Sequence, residues 1–211
     1  MKFILNILKA FLFSFCFIGI ASAADCPSIS PKMAADNPTE QVEAIVNDVI
    51  CSFIALHSES NGTLQNTLNL TKKKIIPYMD LEHSTELALG DYWKDLDTRQ
   101  RKIFERDVKN SLIKDYVSIL ADMKDWKDIN VSVDNQYSQT DNIANVKVLV
   151  SLKNETSSAK VTLRLIRKNR WKIYDLVYQT ISIVDIEKVG YDSKIKRHGI
   201  DGLIEKMLSR S

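Results

Sequence analysis

The sequence is poor in the residues that most catalytic and nucleic-acid-binding domains display. Its 211 residues include three His, three Cys, six Gly and four Pro, and 29 Lys and Arg against 27 Asp and Glu leave a formal charge of only +2. So few Gly and Pro argue against a turn-rich all-β barrel, and so small a charge excludes the wide basic surface that nucleic acid requires. No Gly-x-Ser-x-Gly, His-Glu-x-x-His or glycine-rich phosphate loop occurs, so serine hydrolase, zinc protease and nucleotide-site signatures are missing. His83 stands in Asp80-Leu81-Glu82-His83. Adjacent helical residues point about 100° apart, so Glu82 and His83 cannot share a face, and Asp80 with His83 is too few ligands for a metal. No catalytic residue, metal or cofactor is expected.

What is present is an ordinary globular composition, 45% hydrophobic and 27% charged, long enough to bury a sizeable core. Residues 1–23 read as a cleaved secretory signal peptide: basic Lys2 and Lys9, the 11-residue apolar stretch Ala10 to Ile20, then Ala21-Ser22-Ala23. A membrane anchor needs about 20 apolar residues. Cys16 follows Phe15 and Cys26 follows Asp25, where a lipoprotein signal wants a small residue, so export to a soluble compartment is expected. Without Lys2 and Lys9 the rest of the chain carries 27 basic and 27 acidic residues and is formally neutral. Its two cysteines, Cys26 and Cys51, lie in an exported chain where disulfides persist. Cys51 also falls on an apolar helical stripe, so a bridge and a buried thiol both fit the residues.

Residues 24–36 have no period and read as a loose leader, and 37–211 as one domain. Asn37-Pro38-Thr39-Glu40 opens a helix carrying Val42, Ile45, Val46, Val49, Ile50, Phe53 and Ile54 at helical spacing, ending near Asn61-Gly62. A second helix runs from Thr63 to Ile76 and stops at Pro77, a third from about Leu81 to Gly90. Asp97-Thr98-Arg99-Gln100 is a capping box that opens the longest helix. After Asp125 the period becomes two: Ile129 to Val133, Val146 to Leu152 and Val161 to Leu165 alternate with polar residues, and a fourth strand is expected from Trp171 to about Val184. Turns are expected at Asn154 to Ser157 and at Lys168-Asn169, and a last helix after Gly199. Helices followed by strands predict an α+β fold, with N-terminal helices packed on a curved antiparallel sheet of about four strands plus a C-terminal helix. Lys72-Lys73-Lys74 either steers the protein toward anionic head groups or an acidic partner, or is simply a solvated helix face.

A set of motifs carries a family resemblance. Ile75-Ile76-Pro77-Tyr78-Met79-Asp80, Ala88-Leu89-Gly90-Asp91-Tyr92-Trp93, Trp171-Lys172-Ile173-Tyr174-Asp175-Leu176, Ile181-Ser182-Ile183-Val184 and Gly199-Ile200-Asp201-Gly202-Leu203-Ile204 follow one another in register. From about residue 40 to 208 the sequence resembles the MlaC family of periplasmic phospholipid-binding proteins of Gram-negative bacteria, also called toluene-tolerance auxiliary transport proteins. The cysteine pair and the short Asn154 to Ser157 turn depart from the family pattern. The resemblance implies a sheet and helices similar to nuclear-transport-factor and cystatin-like folds, enclosing a cavity for phospholipid acyl chains. It also implies a periplasmic carrier, not an enzyme, that exchanges lipid between an outer-membrane complex containing MlaA and MlaD of the inner-membrane MlaFEDB transporter. Such a carrier maintains outer-membrane lipid asymmetry, with no nucleic acid among its partners.

That role sets a physical requirement. At about 0.8 kcal/mol per buried methylene, two chains of roughly 16 carbons carry on the order of 20 kcal/mol that must be shielded from water. The cavity should be apolar and near or above the top of the usual pocket range. Its expected lining comes from the concave sheet face, Val148, Val150, Leu163, Leu165, Trp171, Ile173 and Val177, and from facing helices, Leu87, Leu89, Tyr92, Phe104, Leu112 and Tyr116. Tyr78 and Trp93 suit the mouth, where an aromatic body with a polar tip matches the glycerol level. Ordinary core packing is the competing reading for each of these residues. A small-molecule hydrolase and a protein-binding accessory factor with a solid core are the rival functions.

Overall fold

The computed structural model describes residues 36–123, 126–134, 137–153 and 158–209. The expected signal peptide and most of the expected leader, with Cys26, lie outside the described residues, as does the expected turn at 154–157. No helix among the described residues is long and apolar enough to cross a membrane.

Local chemistry places the helix starts. Asn37 accepts from the backbone N–H of Thr39 at 2.9 Å and of Glu40 at 3.4 Å, with Pro38 in the first turn of α1 (Pro38–Ser58). Thr63 caps α2 (Leu64–Lys74), and a 3-10 turn over Ile76–Tyr78 absorbs Pro77. Asp80 caps α3 (Leu81–Leu89), accepting from the His83 N–H at 3.0 Å. A second 3-10 stretch, Gly90–Asp95, begins at a glycine with φ +56°, a conformation that a side chain would strain. The capping box before α4 (Thr98–Asp122) is reciprocal: Gln100 N–H donates to Asp97 Oδ1 at 2.8 Å and Asp97 N–H to Gln100 Oε1 at 3.0 Å.

Among the described residues the sheet has six antiparallel strands: β1 (Ile129–Val133), β2 (Ser138–Gln139), β3 (Ile143–Leu152), β4 (Ser158–Arg167), β5 (Trp171–Tyr178) and β6 (Ile181–Ser182). Their order is β1-β3-β4-β5-β6, with β2 also pairing β3. The α+β architecture is as the sequence predicts, with two short strands added. Pairs Ala144–Leu165, Val146–Leu163 and Val148–Val161 put the buried residues of β3 and β4 on one face.

The region after Trp171 differs from expectation. The fourth strand does not run to Val184. It ends at Tyr178, Gln179 turns with φ +55°, Ile181 pairs back to Tyr178, and Ile183 already begins α5 (Ile183–Leu208). Ser182 supplies the stop, its Oγ accepting from the Asp185 N–H at 3.0 Å as N-cap. The last helix therefore begins 16 residues before Gly199, whose non-helical backbone (φ 68°, ψ 169°) divides it in two, so the helix expected after Gly199 is its second part and the first part is the addition.

Two packed cores result. One joins α3, α4 and α5 around Leu89, Trp93, Phe104, Tyr191 and Leu203. The other holds Val42 of α1 against Val146, Val148, Leu165 and Trp171 of the sheet.

Candidate functional site

Between the two cores lies a cavity of about 330 Å³, walled almost entirely by carbon. Ile45, Val46, Val49 and Ile50 come from α1, Thr71 from α2, Ile75, Ile76 and Met79 from the turn at Pro77, and Ser84 and Ala88 from α3. Opposite stand Val108, Leu112, Ile113 and Leu120 of α4, Leu163 of β4, Ile173 to Leu176 of β5, and Ile183, Val184 and Glu187 of α5. A backbone bond from Asp80 N–H to the Ile173 carbonyl, 2.8 Å, ties the Pro77 turn to the sheet edge and closes this corner.

The polar groups on the wall are mostly turned to protein partners. Ser84 Oγ lies 2.6 Å from the Tyr174 carbonyl and 2.8 Å from that of Asp80. Asp175 accepts from Ser182 Oγ and Val184 N–H and pairs with Arg164, while Glu187 accepts from Ser111 Oγ at 2.7 Å. Burial raises the Tyr174 hydroxyl above its ordinary pKa, and its ring meets His83 edge-on at 4.9 Å. Behind the wall, burial pushes the Tyr191 hydroxyl far upward, with Asp107 adding to the effect, so it stays neutral and donates to Asp107 at 2.9 Å.

Three of the sequence-predicted lining residues, Leu112, Leu163 and Ile173, stand on this wall. Leu89 and Phe104 instead sit in the helical core, with Tyr92 packed against it and donating to Asp192 at 3.1 Å. Val148, Leu165 and Trp171 fill the sheet core, with Val150 against it. Leu87 is an exposed residue of α3. The Tyr116 side chain lies outside the described residues. Val177 is displaced by a bulge. Arg164 pairs with Asp175 but Leu165 pairs with Ile173, so Tyr174 is an extra residue and the faces exchange beyond it. Leu176, not Val177, then continues the inward face and lines the cavity.

Trp93 is not at a mouth. It is buried in the helical core with the Arg101 guanidinium 4.7 Å from its ring centroid. Tyr78 is half-buried beside the wall residues Ile76 and Met79, under Arg170 at 5.7 Å. Lys72 and Lys73 are exposed, whereas Lys74 is half-buried and bonds Asp48 of α1 at 2.7 Å. Cys51 is disulfide-bonded; the sequence-predicted partner, Cys26, lies outside the described residues.

The volume falls near the lower end of the usual pocket range, not the upper end. The reason is that most expected lining residues are consumed by the two solid cores. The α1 stripe was missed as lining. Its signal was width: Val46, Val49 and Ile50 extend the apolar face beyond what burial of Val42, Ile45 and Phe53 requires, and they remain only half-buried.

A solved structure of a phospholipid-binding protein from Ralstonia solanacearum, in complex with a phospholipid, matches this fold with a TM-score of 0.67 at 24% identity, over 80% of this chain and 93% of that one. The intermembrane phospholipid transport system binding protein MlaC of Haemophilus influenzae is 22% identical over 206 residues, which cover 96% of this chain and 90% of that protein. The family model described as MlaC protein matches residues 43–209, and the chain belongs to the MlaC family.

Proposed function

We propose that this protein is a phospholipid carrier that shields acyl chains in the cavity between its two cores and performs no chemical step. The observation that carries the reading is the wall itself, a partly open apolar space lined mainly by aliphatic side chains of α1, α4, the turn at Pro77 and the centre of the sheet. Such a surface gains from hydrocarbon and offers little to a polar substrate. The Haemophilus influenzae and Ralstonia solanacearum proteins named above support phospholipid as the cargo. The signal-peptide pattern at residues 1–23 supports a periplasmic location. In that setting the carrier exchanges lipid between the MlaA-containing outer-membrane complex and MlaD of the MlaFEDB transporter, and so preserves outer-membrane lipid asymmetry.

A hydrolase on the same cavity is less well supported. The wall serine, Ser84, directs its hydroxyl to two backbone carbonyls, and the ring of neighbouring His83 contacts Glu86 at 3.3 Å.

The test is to purify the exported protein, extract it with organic solvent and identify lipids by mass spectrometry. Near-stoichiometric phospholipid is expected. A lipid-free protein that also takes up none from phospholipid vesicles would overturn the reading.

A further inference from the structure

Thr71 is 5% exposed, lines the cavity, and its Oγ1 has no hydrogen-bond partner among the described residues. Ser84, Asp175 and Glu187 on the same wall are all engaged. A buried hydroxyl without a partner costs stability, and the cost is removed only when an acceptor is brought to it. Pure hydrocarbon cannot do that, so the group points to a cargo with a polar atom at this level of the cavity.

The position of Thr71 says which atom. Three residues on, about 4.5 Å further along α2, Lys74 pairs with Asp48 in an ion pair that is partly open to solvent. Toward the interior the wall is aliphatic, with Ile45, Val49 and Leu112. Thr71 thus stands at the boundary between charged surface and hydrocarbon. In a two-chain lipid the groups at that boundary are the ester carbonyls that join the chains to glycerol.

We propose that Thr71 Oγ1 donates a hydrogen bond to an acyl ester carbonyl of the cargo, making Thr71 a specificity residue that favours ester-linked over ether-linked lipid. The assignment rests on the carrier reading above. It fixes the orientation of the cargo, with the ester level at the C-terminal half of α2 and the chains running toward α4 and β5. An ether oxygen is a poorer acceptor and lies in a different place, so an ether lipid leaves the hydroxyl unpaired.

An internal control exists on the same helix. Thr67 is 0% exposed and its Oγ1 is equally without a partner among the described residues, but it is not on the cavity wall. If orphan hydroxyls on α2 were only a packing habit, Thr67 and Thr71 would behave alike.

The experiment incubates delipidated protein with vesicles containing equal amounts of a diacyl phosphatidylcholine and its dialkyl ether counterpart of the same chain length, then extracts and weighs the bound lipids by mass spectrometry. The wild type is expected to favour the diacyl lipid by roughly two- to tenfold, the equivalent of one neutral hydrogen bond. Thr71→Val should abolish the preference while still loading lipid, Thr71→Ser should keep it, and Thr67→Val should leave it unchanged. A wild type without preference, or a Thr71→Val protein that retains it, overturns the assignment while leaving the carrier reading intact. Loss on Tyr174→Phe with retention in Thr71→Val overturns it in favour of the tyrosine. Failure of the wild type to load either lipid removes the carrier reading and this inference together.

Discussion

Asp175 and Ser182 hold the corner where the sheet becomes a helix: Ser182 Oγ donates to Asp175 Oδ2 at 2.7 Å while Asp175 Oδ1 accepts from the Val184 N–H at 3.1 Å. Arg164 of the neighbouring strand reaches the same carboxylate at 3.1 Å. The carboxylate is buried and faces the first turn of α5, whose free N–H groups favour negative charge. This corner fixes where Ile183, Val184 and Glu187 meet the cavity.

Asp175→Ala should therefore destabilise the protein by about 2–3 kcal/mol, because the two buried donors, Ser182 Oγ and Val184 N–H, lose their acceptor together, while the Arg164 side chain, 40% exposed, is left to water. Ser182→Ala, which removes the cap and one bond, should cost about 1–2 kcal/mol. Urea unfolding followed by circular dichroism measures both. Equal costs for the two variants would show that Asp175 does no more than the cap.

Wall and core residues should separate cleanly in mutants. Leu112→Trp projects bulk into the cavity from a partly buried position and should lower lipid occupancy several-fold with a stability change under about 1.5 kcal/mol. Phe104→Ala, in the solid helical core, should cost about 3–5 kcal/mol while protein that remains folded still carries lipid. Lipid per folded protein and the unfolding midpoint are the two readouts, and a loss of occupancy in Phe104→Ala equal to that in Leu112→Trp would contradict the division between core and cavity.

Acid should weaken the cap of α3. Burial alone would raise the Asp80 carboxyl, but the His83 N–H and the Lys168 ammonium, 2.9 Å away, outweigh it and hold its pKa below the usual carboxylate value. A folded pKa below the unfolded one means that the stabilisation is present above the unfolded value, near about 3.9, and is lost as pH falls through the folded value. Lys168 is half-exposed, so Lys168→Ala should cost no more than about 1 kcal/mol at neutral pH. The difference from wild type should stay constant from about pH 5 to pH 8 and shrink below about pH 4. A difference that grows with acid would have the wrong sign.

Reduction should loosen α1. With Cys51 in a disulfide, dithiothreitol should lower the unfolding free energy by roughly 3 kcal/mol if the closed loop is about 25 residues, the span to Cys26. Peptide mapping without reductant should yield a Cys26–Cys51 peptide, and recovery of unmodified Cys26 by thiol labelling would refute the pairing.

Much of the fold was legible because its causes are local. The Asn37 cap, the Asp97 and Gln100 box, the stop at Pro77 and the alternation of β3 and β4 each depend on residues a few positions apart. The strand after Trp171 was legible only in its first half. Ile181 to Val184 has the apolar content of a strand, and the only local sign that Ser182 caps a helix is its spacing to Asp185, three residues on. Of the candidate site, the types of residue were readable but not their destinations, since Leu89, Leu165 and Leu112 are equally apolar and only two of them are packed solid.

The sequence by itself determined which segments coil and which extend up to Tyr178, because backbone preference, capping and periodicity are settled by near neighbours. The tertiary structure decided where the space is. A bulge at Tyr174, visible only in the pairing with β4, exchanged Val177 for Leu176 on the inner face. The cavity is what remains after two cores have each reached close packing, and that remainder depends on the relative placement of α1, α4 and the sheet, which no single segment encodes.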